Sequence, residues 1–295
     1  MNFELHLEDN LFKLYESLHT GSYSHLPYKY FQIFDNKKRD IYKAEVRDRI
    51  VHQIIYEYLL VLFELDFIAD SYASRVNKGQ YKAIDAFRYF TRLIRSSRQS
   101  CFVLKCDVRK YFDSVDQILL IKIINEKVTC EPTRIVINDI ISSHCSSVGV
   151  GKGIPLGNVT SQVFANIYLN VLDQYVKKDL GCRFYVRYND DFVVMSESRE
   201  KLEKIRGQII AFIKEKLLLN IPMEKTSLRK LEWGIDFLGF TILPNAVLLR
   251  DKTKSKIYSN INLENRHSYF GILERCNSHH LKKKILAMAR LDEIC

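Results

Sequence analysis

The feature that most limits what this chain can fold into is RYNDDFVVMS, residues 187 to 196, where two adjacent aspartates interrupt a run of β-forming residues. The flanking segments RFYVRY and FVVMS are typical of strands. Asn189-Asp190 between them suits a tight turn. The pattern predicts a β-hairpin that carries carboxylates at its tip and offers them to a cleft.

A further aspartate follows another strand-like segment. CFVLKCDV alternates and is rich in Val, Phe and Leu, so it predicts a strand that ends near Asp107. Asp107 and Asp190 are 83 positions apart (190 − 107), yet adjacent strands of one sheet would bring their carboxylates close together. Such carboxylates repel each other unless a divalent cation lies between them, and hard oxygen ligands favour Mg²⁺ or Mn²⁺. The alternative is that Asp190 and Asp191 only form a turn.

The composition is that of an ordinary folded protein with a basic surplus. Lys and Arg number 45 against 35 Asp and Glu, a formal charge of +10 that favours a polyanionic partner. The sequence has no run of about 18 apolar residues and no signal-type start, which predicts a cytoplasmic protein without a membrane segment. The seven cysteines form no CxxC pair, which favours reduced thiols over disulfides or a zinc site.

Hydrophobic periodicity predicts a mixture of helices and strands. Residues 45–70 are apolar around most of a helix circumference and are expected to be buried on most sides. Other helices are predicted at about 81–99, 111–127, 132–145, 160–180, 198–218 and in the basic tail 255–295, and other strands at about 235–242 and 246–250. This order predicts an α+β domain whose antiparallel sheet has helices packed on one face.

Several segments together resemble the conserved boxes of reverse transcriptases. RYNDDFVVMS resembles the YxDD box, FVLKCDVRKYFDSVD the preceding aspartate-bearing strand, and GIPLGNVTSQVFANIYLN the box that usually reads QGxxxSP. PMEKT and WGIDFLGFTI are similar to the fourth palm box and the primer-grip hairpin. VRDRIVHQII, SYASRVNKGQ and RHSYFGILERCNSHHLKKKIL are similar to fingers and thumb segments of group II intron-type enzymes. These matches lie in the family's order over about residues 40 to 290.

One box departs from the family norm. Leu156 stands where Gln is usual, and Gln162 stands where Pro is usual. This pattern resembles the reverse transcriptases of diversity-generating retroelements, and the compact length without a maturase or endonuclease region agrees. An aliphatic Leu156 offers only packing where Gln offers a hydrogen bond, which agrees with the subgroup's misincorporation opposite template adenines.

The resemblance implies a right-hand polymerase fold and RNA-directed DNA polymerase activity. Fingers would span residues 1–100, with 130–155 returning to them, the palm 101–245, and a short helical thumb 250–295. Two Mg²⁺ or Mn²⁺ ions and dNTP substrates would serve the reaction. Template RNA and the RNA/cDNA hybrid would be the nucleic-acid partners.

The resemblance also assigns catalytic roles. Asp107, Asp190 and Asp191 would be the catalytic carboxylates and, with the backbone carbonyl of Val108, would bind the metal ions. Phe112 matches the aromatic gate that excludes a 2′-hydroxyl by its bulk, and a core phenylalanine is the alternative.

Further positions are implied to contact dNTP or template and primer. Arg75 and Lys78 match basic positions that would meet the triphosphate, a task for which guanidinium groups are suited. Lys225 would protonate the departing pyrophosphate, or is an ordinary surface lysine. Gly157 would allow close backbone approach to the nucleotide or template base, and Gln162 belongs to the same box.

The subgroup implies a second partner and leaves rivals open. A small basic accessory variability determinant protein and a structured template-repeat RNA would join a bacterial or phage-encoded enzyme. The rivals are a group II intron-like, CRISPR-associated or phage-defence reverse transcriptase, and a catalytically inactive RNA-binding scaffold.

Overall fold

The computed structural model describes residues 3–35, 37–96, 100–262, 265–278 and 282–283. The α-helices are α1 (Leu7–His19), α2 (Val46–Phe63), α3 (Gln80–Ser96), α4 (Tyr111–Ser114), α5 (Gln117–Asn125), α6 (Glu131–Ser142), α7 (Val159–Gln174), α8 (Arg199–Lys216), α9 (Asp251–Asn260) and α10 (Arg266–Glu274). The strands are β1 (Lys29–Asp35), β2 (Lys37–Lys43), β3 (Phe102–Asp107), β4 (Tyr185–Tyr188), β5 (Asp191–Ser196), β6 (Thr226–Lys230), β7 (Ile235–Phe237), β8 (Phe240–Ile242) and β9 (Val247–Leu249).

The central sheet has four antiparallel strands in the order β4-β5-β3-β6. Strand β3 therefore lies beside the hairpin of β4 and β5, although about eighty residues separate them in the chain. This pairing confirms both the predicted strand that ends at Asp107 and the predicted hairpin around Asn189-Asp190.

Side chains alternate between the two faces of this sheet, and each face has its own core. Leu104, Cys106 and Val194 belong to the larger core, which the helices α7 and α8 cover. Val103 and Val193 belong to a second core with α3 and the three-stranded sheet β7-β8-β9. The predicted helical layer is therefore present, and a second layer covers the other face.

The N-terminal part contains elements that the sequence patterns did not predict. Strands β1 and β2 form an antiparallel hairpin, and helix α1 precedes it. Helix α2 was expected to be buried on most sides, but this expectation is wrong. Its side chains Ile54 and Val61 are 54% and 81% exposed, and the helix ends at Phe63.

The C-terminal part contains α9 and α10, as the basic helical pattern predicted. The predicted helix LKKKILAMAR, 281–290, lies outside the described residues except for positions 282 and 283. Among the described residues, no helix has the length and apolarity needed to cross a lipid bilayer.

Candidate active site

Backbone pairing places the three predicted catalytic aspartates at neighbouring positions where β3 ends and β5 begins. Asp107 pairs directly with Asp191 in the antiparallel register. The backbone N–H of Val108 donates to the carbonyl of Asp190 at 3.2 Å, which ties the end of β3 to the hairpin turn. The turn is tight because Asn189 takes a left-handed conformation with φ 53°. Residues from two distant parts of the sequence are thus brought together by backbone pairing.

The carboxylates of Asp107 and Asp191 lie on the face of the sheet that β7-β9 covers. Strand alternation places Asp107 with Val103, and Asp191 with Val193, whose side chains pack in the second core. Directly opposite residues on one face have neighbouring side chains. The two carboxylates would therefore repel each other unless positive charge lies nearby.

Two lysines supply that positive charge. The ammonium group of Lys225 donates to Asp107 Oδ1. Lys105 Nζ lies 3.2 Å from Asp191 Oδ2 and also donates to the Asp236 carbonyl at 2.8 Å. Because Lys105 precedes Asp107 by two positions in β3, strand alternation puts both side chains on the same face.

Burial dominates the electrostatics of Asp191. Loss of solvent raises the pKa of this carboxyl to about 7, the ion pair with Lys105 opposes that rise, and the charges of Asp107 and Asp190 add to it. One oxygen, Asp191 Oδ1, is buried and has no hydrogen-bond partner among the residues that the structure describes. A buried carboxylate oxygen of this kind is an available ligand for a cation.

The donor chemistry of the site fits a divalent metal ion. Carboxylate oxygens are the ligands that Mg²⁺ and Mn²⁺ prefer, and the unpaired oxygen of Asp191 has the lone pairs to accept one. Within the described parts of the chain, no three His, Cys, Asp or Glu side chains already converge as a complete ligand set. The ammonium groups of Lys105 and Lys225 compensate the negative charges of Asp191 and Asp107, respectively.

A cleft of about 400 Å³ opens beside Asp107. It lies between β6 and the three-stranded sheet, and its lining includes Lys105, Asp107, Lys225, Arg229, Trp233 and Thr241. The indole of Trp233 is 67% exposed at this cleft. Acidic, basic and aromatic side chains thus surround a space next to the carboxylates.

Arg75 and Lys78 lie on the loop between α2 and α3. The Arg75 guanidinium forms a two-bond ion pair with Glu64, with Nη2–Oε1 at 2.7 Å, and donates to the carbonyls of Ile68 and Ser71 at 2.6 and 2.9 Å. Lys78 Nζ donates to the carbonyl of Ala69 at 2.6 Å. These contacts hold the loop together. Arg75 and Lys78 would have to give up some of them to bind a triphosphate, so their contact with the nucleotide stays a prediction.

Phe112 lies in α4, the short helix that follows β3, and Leu156 and Gly157 lie in the loop that leads into α7. Phe112 is partly buried and packs against the larger core. The carbonyl of Leu156 accepts from the N–H of Tyr42 at 2.9 Å, and a Cβ on Gly157 would lie 2.8 Å from Cγ2 of Ile41. The close approach at this glycine is therefore to strand β2. Contacts of these positions with dNTP or template stay predictions.

Gln162 is exposed near the start of α7, and its contact with template or primer likewise stays a prediction.

The sequence interpretation missed residues that shape the site. Lys105 could have been found, because its spacing from Asp107 in a strand implies one shared face. Arg187 was read only as part of a strand, but it is fully buried with Asp173 and forms an ion pair of 2.6 Å. The distant position of Asp173 in the sequence gave no signal of this pairing.

A protein-family model described as reverse transcriptase (RNA-dependent DNA polymerase) matches residues 35–242. The chain is 25% identical over 274 residues to protein YkfC of Escherichia coli (strain K12), a match that covers 78% of this chain and 70% of YkfC. It is 22% identical over 304 residues to the group II intron-encoded protein LtrA of Lactococcus lactis subsp. cremoris, covering 80% of this chain and 50% of LtrA. The chain thus spans only half the length of that intron-encoded relative.

Solved structures with the same fold include two telomerases. Apo telomerase from Candida tropicalis has a TM-score of 0.60 at 14% identity, over 81% of this chain and 50% of that chain. Telomerase from Candida albicans, in complex with a fragment of telomeric RNA, has a TM-score of 0.57 at 15% identity, over 94% and 61% of the chains. These likenesses confirm the predicted α+β right-hand fold.

Proposed function

The chain belongs to the reverse transcriptase (RNA-dependent DNA polymerase) family, and we propose that it copies RNA into cDNA with Asp107, Asp190 and Asp191 as catalytic carboxylates. The observation that carries the proposal is the direct pairing of Asp107 with Asp191 on the face of the sheet where the cleft opens. The primer 3′-hydroxyl would attack the α-phosphate of a dNTP and pyrophosphate would leave. Positioning and charge stabilisation are the main catalytic terms in such transfers.

The three carboxylates and the carbonyl of Val108 are the groups that would hold two Mg²⁺ or Mn²⁺ ions. When bound, such ions activate the attacking oxygen and stabilise the leaving one. The protein contributes a rigid frame, because Asp107 and Asp191 are fixed by a ladder of strand pairs. Lys225 already contacts Asp107, which supports its proposed role as the proton donor to pyrophosphate.

Primer extension on an RNA template with Mg²⁺ or Mn²⁺ tests the proposal. Asp190→Asn keeps the size of the side chain but removes its charge, so we expect cDNA synthesis to fall by at least about 10²-fold. Asp179→Asn is the matched control, since that carboxylate is exposed at the end of the helical segment that follows α7, away from the cleft, and its loss should leave the rate unchanged. Equal product from the wild type and Asp190→Asn would reject the catalytic assignment.

The surrounding regions would hold the nucleic acid and the nucleotide. Residues 1–100, with 130–155, would serve as fingers, 101–245 as palm and 250–295 as thumb. The net charge of +10 suits contacts with the phosphate backbone of template RNA and RNA/cDNA hybrid. Phe112 would lie under the incoming sugar and exclude rNTPs.

We further propose that the enzyme belongs to a diversity-generating retroelement and makes adenine-mutagenic cDNA. The support is the box LGNVTSQ, with Leu156 and Gln162 at the two unusual positions. A small basic accessory variability determinant protein would then be a partner.

Leu156→Gln tests the mutagenic assignment. If the aliphatic side chain weakens discrimination by removing a hydrogen bond, glutamine should lower misincorporation opposite template adenines relative to the other template bases. Sequencing of cDNA made by both variants measures this ratio, with Leu156→Met as the control that keeps an apolar side chain. An error spectrum unchanged by glutamine would contradict the assignment.

A group II intron-like reverse transcriptase is the second candidate. The match to the group II intron-encoded protein LtrA, at 22% identity over 304 residues, favours it. A template-repeat and variable-repeat pair beside the gene would favour the retroelement. Intron RNA flanking the gene would favour the intron-like enzyme.

A further inference from the structure

We propose that Arg187 is a positioning residue that holds the catalytic hairpin and the loop at 64–79 in a fixed relation, from the side of the sheet opposite to the carboxylates. The proposal rests on the proposed function, since it assigns a role in that reaction. Arg187 and its partner Asp173 on α7 are both fully buried. A buried charge is stable only when its donors are satisfied, so its partners show what it holds.

The guanidinium group uses all five of its N–H donors. Nε and Nη2 donate to the two carboxylate oxygens of Asp173 at 2.8 and 2.6 Å. Nη2 also donates to the Ser71 hydroxyl at 3.1 Å, and Nη1 donates to Asn166 Oδ1 and to the Asn189 carbonyl, both at 3.2 Å. Lysine has three donors and no planar fork, so it cannot reproduce this set.

The bond to Asn189 reaches the turn that carries the catalytic carboxylates. Asn189 is the left-handed residue of that turn, and its carbonyl belongs to the peptide that leads into Asp190. The side chain of Arg187 points away from Asp107, because it lies on the face of β4 that α7 covers. Arg187 therefore acts on the carboxylates through the backbone and does not touch the reacting groups.

The backbone of Arg187 pairs with the loop between α2 and α3. Its N–H donates to the carbonyl of Asp70 at 3.0 Å, and its carbonyl accepts from the N–H of Tyr72 at 2.9 Å. The same loop carries Arg75 and Lys78, the predicted triphosphate contacts. One buried residue thus joins the catalytic hairpin to the proposed nucleotide-binding loop.

A role in fold stability alone predicts different behaviour from a positioning role. Removing one partner of a buried ion pair leaves an uncompensated charge, whereas replacing both partners with apolar side chains restores stability. Asp173 also accepts the buried Tyr185 hydroxyl at 2.7 Å, so the double variant Arg187→Met, Asp173→Leu is made in a Tyr185→Phe background that leaves no hydroxyl unpaired there. It should therefore unfold near the wild-type temperature. It still lacks the bonds to Asn189 and Ser71, so stability and positioning are separated.

The experiment compares the full chain as wild type, Arg187→Lys and this double variant. Single-nucleotide primer extension gives kcat and KM for dNTP, thermal unfolding gives stability, and amide hydrogen exchange follows residues 70–73 and 185–191. We expect kcat/KM to fall about 10- to 100-fold in both variants, through a lower kcat and a higher KM. The amides of both segments should exchange faster, including in the double variant that unfolds near the wild-type temperature.

The matched control is Leu202→Ala, which truncates a fully buried side chain outside this network, in the first turn of α8 and at the end of β5 away from Asp191. It should lower the unfolding temperature while leaving KM and exchange of 185–191 unchanged. Wild-type kcat, KM and exchange in the double variant would overturn the proposal. A wild type that does not extend primers would refute the proposed function, and hydrogen exchange would still decide whether Arg187 fixes the hairpin.

Discussion

Asn189 shows how one residue sets the geometry of the turn that carries the proposed catalytic carboxylates. Its φ of 53° lies in the left-handed region, where L residues with a Cβ are strained and Asn is among the better tolerated. The turn joins Tyr188 to Asp191, which pair with each other across the hairpin. A residue that resists this conformation would change how Asp190 and Asp191 are presented.

Asn189→Val and Asn189→Gly test this residue in opposite directions. Valine is β-branched and should cost about 1–2 kcal/mol of folding free energy, because the left-handed conformation crowds its Cβ. Glycine adopts the same φ freely and should cost much less. Chemical denaturation measures the difference, and primer extension should fall more in the valine variant. Equal stability of the two variants would contradict the backbone explanation.

Asp191 links protons to metal binding. Burial raises its pKa to about 7, so in the metal-free protein a large share of this carboxyl is protonated near neutral pH. A metal ion favours the ionised form, so binding should release a proton below about pH 7. The apparent Mg²⁺ affinity should accordingly rise with pH up to about 7 and change little above it.

Calorimetric titration of Mg²⁺ in buffers with different ionisation enthalpies measures this proton release. Asp191→Asn keeps the shape of the side chain but removes both its titration and one proposed ligand, so we expect weaker Mg²⁺ binding without this proton release. A released proton that persists in Asp191→Asn would assign the effect to another group.

At the level of elements, the contact between β2 and the 155–158 loop depends on Gly157. The residue has φ +115°, and an added Cβ would lie 2.8 Å from Cγ2 of Ile41. The N–H of Tyr42 donates to the Leu156 carbonyl beside it. The hairpin of β1 and β2 is thus held against the loop that carries the unusual Leu156.

Gly157→Ala should destabilise the protein by about 1–3 kcal/mol, because alanine at this φ is strained and its methyl meets β2. Gly207→Ala is the matched control: it lies in α8 with nothing within 4 Å of the added Cβ. That substitution should stabilise by about 0.5–1 kcal/mol. Urea denaturation compares the two, and a gain in stability from Gly157→Ala would contradict the contact.

Elements with a strong local signal could be predicted from the sequence, and others could not. Apolar and polar residues alternate in β3 and in the β4-β5 hairpin, and turn residues follow them, so the local pattern is enough to predict these strands. The sequence of β1, KYFQIFD, lacks the alternation that marks a half-buried strand, and its side chains Tyr30, Phe31 and Phe34 are exposed. The apolar sequence of α2 predicts a helix, but it does not specify which face of that helix packs against the core.

Across the whole molecule, sheet order decides which distant residues meet. The two aspartate segments could be placed together because the family resemblance supplied their pairing. The Lys105 and Lys225 contacts and the Arg187 to Asp173 pair depend on strand register and helix placement, which local patterns do not specify. The candidate site was therefore predictable in its carboxylates and not in the cations around them.

The overall charge of the molecule predicts how it holds nucleic acid. If the chain binds an RNA/cDNA hybrid through its phosphates, as proposed, its surplus of +10 implies release of counterions on binding. With about six or more phosphate contacts, affinity should fall about 10³-fold or more between 50 and 200 mM salt. Fluorescence anisotropy with a labelled hybrid measures the slope. Asp190→Asn should keep that slope, since an acidic side chain neutralises no phosphate charge. A change in affinity below about tenfold over this salt range would mean that backbone charge is not what holds the template.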